Sequence, residues 1–105
     1  MTDILKKLNL VLEDRKSKNS EESYVSSLYK KGLDYTCGKI EEEADELINA
    51  LKDEKKERIV SEAADLWFHS LVALSMKNLS SDDILIELEK RFGISGHKEK
   101  NNRNP

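Results

Sequence analysis

Hydrophobic side chains recur every three or four residues in five stretches of the chain, and polar runs separate these stretches. Such spacing is typical of amphipathic α-helices. It predicts helices over 3–15, 34–52 and 56–77, a short helix between Ser23 and Gly32, and a last helix that begins at Ser80 or Ser81 and ends at Gly93. The predicted fold class is therefore all-α, a bundle of four to five helices built around an antiparallel helix hairpin. Residues 1–93 are expected to form one domain and 94–105 a polar, mobile tail.

The two long predicted helices differ in how their apolar positions are distributed. On the first, one seam has 4-3-4-3-4 spacing and consists of Leu33, Cys37, Ile40, Ala44, Leu47 and Leu51. Cys37 is interpreted as a buried apolar thiol in this seam. The helix over 56–77 is apolar on nearly every side and must be covered on every side. A chain of 105 residues has little material to cover it, so we expect a homodimer or a higher homo-oligomer.

Capping residues mark the predicted helix ends. Ser23 precedes the short second helix, and Gly32 stands where a helix C-cap is common. Thr2 or Asp3 is predicted to cap the first helix, and Asp53 the helix that begins near residue 56.

Composition excludes several classes of protein. With 4 Gly and 1 Pro, the chain cannot make the many hairpin turns of an all-β fold. A net charge of −3 does not favour a nucleic-acid partner. No apolar run approaches the roughly 20 residues of a membrane span, and the N-terminus shows no signal region. One Cys allows no intrachain disulfide. We therefore expect a cytoplasmic protein with no membrane partner.

Two acidic pairs form the clearest candidate site. Glu43 and Glu46 lie three residues apart on one predicted helix, and Glu62 and Asp65 lie three apart on the next. Each pair therefore shares one helical face. In an antiparallel hairpin that turns near Glu54, Glu46 lies level with Glu62 and Glu43 with Asp65, because each pair is equidistant from the turn. Helix axes are roughly 8–10 Å apart, so these side chains can reach a shared ion.

The chemistry of this acidic cluster indicates a metal ion. Apolar residues surround Glu62 and Asp65 in the sequence, and burying several carboxylates together is costly unless a cation neutralises them. An all-oxygen ligand set without paired His or Cys favours Mg²⁺, with Mn²⁺ as a possible substitute, and such ions typically serve phosphate substrates. The alternative is a solvated acidic helix face, which the run Glu41-Glu42-Glu43 alone would suggest.

The same equidistance places Lys39 and His69 one step farther along the hairpin. Lys30, Lys31 and Lys39 are candidate phosphate contacts, with ordinary solvated lysines as the alternative. His69 is expected either to orient a ligand or touch phosphate, or to serve as a structural histidine. Glu42 is adjacent to the acidic pairs and can reach the same site.

Several motifs resemble those of a known enzyme family. Glu42-Glu43-Ala44-Asp45-Glu46, followed by Glu62-Ala63-Ala64-Asp65, resembles the E-E-x-x-E…E-x-x-D signature of the all-α NTP pyrophosphatase (MazG-like) superfamily. Within it, residues 23–103 are similar to the phosphoribosyl-ATP pyrophosphatase family of histidine biosynthesis. The specific marks are Ser23-Tyr24-Val25, Lys31-Gly32, Trp67-Phe68-His69 and the Gly93-Ile94-Ser95-Gly96 segment. The chain departs from the family pattern at Glu41, where Gly is usual, at Trp67, where Tyr is common, and in an interhelix turn without Gly.

The resemblance implies a Mg²⁺-dependent hydrolase that converts phosphoribosyl-ATP, a small-molecule nucleotide, to phosphoribosyl-AMP and pyrophosphate. It implies Glu43, Glu46, Glu62 and Asp65 as metal ligands. Glu42 would support the site or orient water, so that Glu42, Glu43 and Glu46 are the expected catalytic acids. One alternative is a house-cleaning (d)NTP pyrophosphatase of the same superfamily, against which the Ser-Tyr and Gly-x-Ser-Gly marks argue. Another is a non-enzymatic helical dimerisation module.

Overall fold

The computed structural model describes residues 3–18, 23–53 and 55–92, and every regular element within these ranges is an α-helix. The helices are α1 (Ile4–Arg15), α2 (Tyr24–Lys31), α3 (Leu33–Asp53), α4 (Lys56–Met76) and α5 (Ser81–Phe92). The all-α prediction is confirmed. The predicted cap Gly93 and the tail 94–105 lie outside the described residues, so the predicted domain boundary stays a prediction.

The antiparallel pair α3–α4 is the main unit of packing, and α2 contacts both of its helices. The caps of α2 explain its position. The Ser23 side chain accepts a hydrogen bond from the Ser26 backbone N–H at 3.1 Å, which confirms the predicted N-cap. Gly32 ends the helix at φ 96°, a conformation that glycine adopts without steric strain, and α3 begins at the next residue. This one-residue connection holds α2 close to the start of α3.

The cap predictions for α1 and α4 have different outcomes. Asp3 occupies the N-cap position of α1 as predicted, although its side chain makes no capping hydrogen bond, and the alternative Thr2 lies outside the described residues. The prediction that Asp53 caps α4 is wrong, because α3 continues through Asp53 and the turn is shorter than the polar run suggested. Asp53 instead accepts a hydrogen bond from Arg58 at 2.7 Å across that turn.

The start of α5 has the predicted serine cap. The Ser80 hydroxyl accepts a hydrogen bond from the Asp82 backbone N–H at 3.2 Å, and the Asp83 carboxylate accepts one from the Ser80 N–H at 2.9 Å. Such reciprocal bonds are those of a capping box. They explain why α5 begins at Ser81.

A small apolar core joins α1, α2 and α4 through Leu12, Leu28, Leu71 and Val72. The Tyr29 hydroxyl ties the same three helices together, because it donates to the Leu12 carbonyl at 3.0 Å and hydrogen-bonds the Ser75 hydroxyl. The fold therefore anchors α2 to α4 at the end of the hairpin away from its turn.

The buried side of α3 differs from the predicted seam by one position. Thr36 and Ala50 are fully buried, whereas Cys37 is exposed and Leu51 is 51% exposed. The prediction of a buried Cys37 thiol is therefore wrong. The apolar stripe of α3 is wider than the surface that α2 and α4 cover, and these helices cover the edge that contains Thr36 and Ala50.

Much apolar surface is left uncovered by the part of the chain that the structure describes. Val60 and Trp67 of α4 are 67% and 64% exposed, and every α5 residue after Ser81 is exposed. A groove of about 410 Å³ between α1, α4 and α5 is lined mostly by apolar side chains, among them Leu66, Leu85 and Leu88. None of the helices described combines the length and the apolar character needed to cross a membrane.

Candidate active site

Carboxylates from α3 and α4 converge at one edge of the hairpin. Glu43, Glu62 and Asp65 each offer an oxygen, and these oxygens all lie within 4.8 Å of one another. Glu43 belongs to α3, while Glu62 and Asp65 lie one turn apart on α4. The register argued from the sequence thus brings Glu43 beside Asp65. We call Glu43, Glu62, Asp65 and the adjacent Glu46 the acidic cluster.

The members of the acidic cluster differ in exposure. Glu43 and Glu62 are partly buried, whereas Glu46 and Asp65 are exposed. The expectation that the acids of α4 are buried is therefore wrong for Asp65, although apolar residues flank it in the sequence. The neighbouring Ala64 is exposed too, because none of the other described helices covers this side of α4.

The pKa of Glu62 reflects the negative charge concentrated in the cluster. Partial burial raises the pKa of its carboxyl group, and the negative charges of Glu46, Glu43 and Asp65 raise it further. A hydrogen bond in which protonated Glu62 donates to Glu46 acts in the same direction. Glu46 is therefore a neighbour of Glu62, as the register predicted. Because the other three acids raise the pKa of Glu62, the positive charges nearby do not fully compensate the negative charge of the cluster.

The donor set fits a hard divalent cation. Two oxygens on opposite sides of Mg²⁺ stand about 4.2 Å apart, because each metal–oxygen distance is about 2.1 Å. Oxygens at adjacent positions are only about 3.0 Å apart, and three ligands of one ion cannot all be opposite one another. Oxygens of Glu43, Glu62 and Asp65 that are as much as 4.8 Å apart would therefore have to approach by up to about 2 Å, which rotation of these flexible side chains can supply. Oxygen donors without thiolate or imidazole are those that Mg²⁺ and Mn²⁺ prefer.

Lys39 lies at the rim of the cluster. Its ammonium is 2.9 Å from a carboxylate oxygen of Glu42 and 4.0 Å from one of Glu43. The hydrogen bond to Glu42 raises the pKa of Lys39 above its ordinary value, against the lowering effect of desolvation. Glu42 itself is exposed and faces Lys39. The predicted phosphate contact and the predicted water-orienting acid therefore form an ion pair beside the cluster.

His69 is buried, with 5% of its surface exposed, and both of its ring nitrogens are engaged. Nδ1 lies 2.9 Å from the Asp65 carbonyl oxygen, and Nε2 lies 2.9 Å from the Tyr24 hydroxyl. Direct contact with phosphate would require one of these bonds to break. A ligand-orienting histidine and a structural histidine both fit this geometry, so the role of His69 stays a prediction. The contact with Tyr24 was not predicted. The Ser-Tyr motif marked Tyr24, but its partner depends on how α2 packs.

The remaining predicted contacts are more peripheral. Lys31 is exposed, and its ammonium lies 4.6 Å from the centre of the Tyr35 ring. Tyr35 in turn influences the pKa of Lys39. Lys31 and Lys39 therefore both lie near Tyr35, and among the described residues Lys31 forms no ion pair with the acidic cluster. Lys30 is exposed on α2.

The fold and the site together define an all-α protein with an acidic centre on a helix hairpin. Comparison with known proteins narrows this class. Residues 5–92 match the model of the phosphoribosyl-ATP pyrophosphohydrolase family, and the chain belongs to that family. The matched range contains all five helices apart from the first residue of α1.

Individual relatives agree with the family match. The chain is 53% identical over 104 residues to a protein of Vesicomyosocius okutanii named phosphoribosyl-ATP pyrophosphatase, covering 99% of each chain. A protein of the same name from Hydrogenovibrio crunogenus is 52% identical over 105 residues, covering 96% of this chain and 93% of the relative. A third, from Methylococcus capsulatus, is 50% identical and covers 96% of each. The family resemblance inferred from the motifs is confirmed.

Proposed function

We propose that this chain hydrolyses phosphoribosyl-ATP to phosphoribosyl-AMP and pyrophosphate, the second step of histidine biosynthesis. The observation that carries the proposal is the convergence of Glu43, Glu62 and Asp65 within 4.8 Å, in a chain that belongs to the phosphoribosyl-ATP pyrophosphohydrolase family. A cytoplasmic location suits this step. The substrate is a small-molecule nucleotide, and the proposal includes no nucleic acid or membrane partner.

The proposed cofactor is Mg²⁺, with Mn²⁺ as a substitute, and the proposed ligands are Glu43, Glu46, Glu62 and Asp65. When bound, such an ion neutralises charge on the triphosphate and on the leaving pyrophosphate and lowers the pKa of a coordinated water. The protein contributes the position of the four carboxylates, which α3 and α4 hold on facing edges of one hairpin. Carboxylates alone would repel an anionic substrate, so hydrolysis is expected to depend strictly on the cation.

Residues beside the acidic cluster supply the other roles. Glu42 is exposed and hydrogen-bonds only a flexible lysine among the contacts described, so its carboxylate can turn to orient or deprotonate a water. Lys39 and, farther out, Lys31 offer positive charge for the phosphates. His69 acts through the protein backbone, because both of its nitrogens are engaged.

The proposed assembly is a homodimer. Among the described residues, fully buried apolar side chains are few, whereas Leu51 of α3, Val60 of α4 and Ile86 of α5 are each more than half exposed. A second copy of the chain would cover this surface.

Product analysis with the purified full chain tests the proposal. Phosphoribosyl-ATP and a panel of (d)NTPs are incubated with the protein in Mg²⁺ or in chelator, and the products are separated by chromatography. We expect phosphoribosyl-AMP and pyrophosphate in Mg²⁺ alone, with much slower turnover of every (d)NTP. Preferred turnover of a (d)NTP would support the house-cleaning alternative instead. No Mg²⁺-dependent turnover of any nucleotide would contradict the proposal.

A further inference from the structure

His69 makes two hydrogen bonds that join the acidic cluster to α2. It lies one helical turn after Asp65, and its Nδ1 is 2.9 Å from the Asp65 carbonyl oxygen. Because a carbonyl only accepts, Nδ1 carries the proton and donates it. In the neutral ring Nε2 is then an acceptor, and the Tyr24 hydroxyl, 2.9 Å away, donates to it. The chain of bonds runs from Tyr24 through His69 to the backbone of Asp65.

We propose that Tyr24 and His69 are positioning residues, which hold the α4 turn that carries Asp65 in the arrangement the reaction needs. The inference rests on the proposed function, since it concerns the same acidic cluster. Asp65 is exposed, so the placement of its carboxylate depends on the backbone beneath it. The Asp65 carbonyl oxygen also accepts the helical hydrogen bond from the backbone N–H of His69. The backbone and the ring of this one residue therefore satisfy both lone pairs of the carbonyl.

Aromatic packing makes this link stiff. The Phe68 and His69 rings meet edge to face with centroids 5.0 Å apart, and Tyr24 and His69 do so at 5.8 Å. Tyr24 also stacks on Phe68 with centroids 6.2 Å apart. Three rings in mutual contact restrict one another's rotation. Movement of α2 therefore changes the orientation of His69, and with it the support of the Asp65 carbonyl.

Tyr24 also lies within the electrostatic reach of the site. Burial raises the pKa of its phenol above the ordinary value, the Lys39 ammonium opposes this, and the negative charges of Glu43 and Glu42 add to it. The phenol therefore keeps its proton at neutral pH and can donate it to His69. Tyr24 connects α2 to the level of the hairpin where Lys39 and Glu43 also lie.

Tyr29 provides a matched control on the same short helix. Its hydroxyl also bridges α2 to α4, but it contacts Ser75, ten residues beyond Asp65, rather than a residue of the acidic cluster. Each of Tyr24→Phe and Tyr29→Phe removes one hydroxyl and one bond between α2 and α4, and Tyr29→Phe also removes the bond to the Leu12 carbonyl of α1. A merely structural role for Tyr24 therefore predicts that Tyr24→Phe loses no more kcat or Mn²⁺ affinity than Tyr29→Phe.

The test measures metal affinity and kinetics in the full-length protein. Free Mn²⁺ is quantified by electron paramagnetic resonance during titration, and kcat and KM are measured with phosphoribosyl-ATP. In Tyr24→Phe we expect about a tenfold weaker Mn²⁺ affinity and about a tenfold lower kcat, with KM changed less than kcat, as is typical when a residue supporting a metal ligand is lost. Tyr29→Phe should lower the melting temperature while its kcat and Mn²⁺ affinity stay within about twofold of wild type.

A double-mutant cycle tests whether Tyr24 acts through His69. Asn at position 69 can still donate to the Asp65 carbonyl but cannot reach Tyr24. If the two residues form one link, adding Tyr24→Phe to His69→Asn causes no further loss of kcat. Independent, multiplying losses would overturn the inference. If His69→Asn does not fold, as judged by circular dichroism, the comparison of Tyr24→Phe with Tyr29→Phe decides alone.

Wild-type behaviour separates the two proposals. If wild-type protein binds Mn²⁺ and hydrolyses phosphoribosyl-ATP while Tyr24→Phe and Tyr29→Phe are equivalent, the positioning link is wrong and the proposed function stands. If wild-type protein neither binds Mn²⁺ nor hydrolyses the substrate, the proposed function fails, and the positioning link fails with it.

Discussion

The ammonium of Lys39 lies 4.0 Å from the carboxylate of Glu43, a residue that also faces Glu62 and Asp65. Lys39 thus places a positive charge at the edge of the acidic cluster, one helical turn from Glu43 on the same helix. A divalent cation bound by Glu43 would repel this ammonium. We therefore expect Lys39 to neutralise the cluster in metal-free protein and to turn toward substrate phosphate when the cation is bound.

Replacing Lys39 with Met should affect both states. Without the ammonium, repulsion among the carboxylates is less compensated, so the melting temperature in chelator should fall by about 1–4 °C, in line with the small energies of exposed ion pairs. The KM for phosphoribosyl-ATP should rise. Thermal scans with and without Mg²⁺, together with steady-state kinetics, measure both effects. Lys52→Met, an exposed lysine near the end of α3, is the control. A higher metal-free melting temperature in Lys39→Met would contradict the counter-ion role.

Mg²⁺ or Mn²⁺ should stabilise the folded protein. On the proposed function, the cation is expected to bind the assembled cluster and not the unfolded chain, so the melting temperature should rise with metal concentration. Millimolar ion over a weak site stabilises by about 1–3 kcal/mol, which corresponds to several degrees. Differential scanning calorimetry over a Mg²⁺ series measures the shift, and NaCl at equal ionic strength should produce much less.

Two double variants give that prediction its control. Glu43→Ala with Asp65→Ala removes two members of the cluster and should abolish the thermal response to Mg²⁺. Glu41→Ala with Asp45→Ala removes two exposed acids from α3 at positions outside the cluster and should preserve it. Equal responses of all variants to Mg²⁺ would mean that these carboxylates are only a charged surface.

Loss of single acids should separate activity from stability. Glu46→Ala or Asp65→Ala should remove nearly all hydrolysis while circular dichroism stays that of the wild type. Each replacement removes a proposed ligand and also relieves repulsion with Glu62. The metal-free melting temperature should therefore stay level or rise. Wild-type activity in Asp65→Ala, at an unchanged Mg²⁺ requirement, would refute the assignment of this residue.

Glu62 should make metal-free stability fall as pH rises. Its pKa is raised in the folded protein, so the folded state binds this proton more tightly than the unfolded state. The resulting stabilisation is present at low pH and is lost as pH rises from the ordinary carboxyl pKa through the raised value. Glu62→Gln stays neutral, so in chelator at pH 7 it should melt above wild type, with little difference near pH 4. Glu41→Gln is the control, and a difference that does not change with pH would contradict a cause in the ionisation of Glu62.

Helical periodicity and distance from the turn were enough to predict α3, α4 and the pairing of Glu43 with Asp65. Periodicity depends only on residues within one helix. The pairing depends only on two helices that are adjacent in the chain, because a short turn lets them pack antiparallel in few registers. The error at Asp53 left this pairing intact, because α3 is only one residue longer at this end than predicted and α4 begins at Lys56 as predicted.

Features that depend on which surfaces meet could not be predicted in this way. Thr36 is buried and Cys37 exposed because α2 and α4 cover one edge of a wide apolar stripe, and periodicity does not say which edge. Similarly, the bond between Tyr24 and His69 depends on the one-residue connection at Gly32, which sets the position of α2 over the hairpin.

The exposed apolar side chains of α3 and α4 follow helical spacing on each helix. On α4, Val60, Ala64 and Trp67 are exposed at helical spacing and form one stripe, and on α3 the exposed Ile48 and Leu51 belong to a similar stripe. Isolated exposed apolar residues are ordinary, whereas apolar stripes on two packed helices are typical of protein–protein interfaces, and we call these two stripes the apolar patch. This patch is where we expect a second copy of the chain to bind.

Sedimentation at micromolar concentration should therefore give about twice the 12.1 kDa of one chain. Val60→Lys places a charge in the apolar patch, where the side chain is 67% exposed in one chain, and should shift the protein toward monomer. Ser61→Lys adds the same charge at the next residue, which is also exposed but lies about 100° around the helix, and should leave the dimer in place. The contrast follows because burying an unpaired ammonium in an apolar interface costs several kcal/mol, whereas an ammonium in solvent costs little. A stable wild-type monomer would show that the exposed apolar surface of α3 and α4 does not require a second copy.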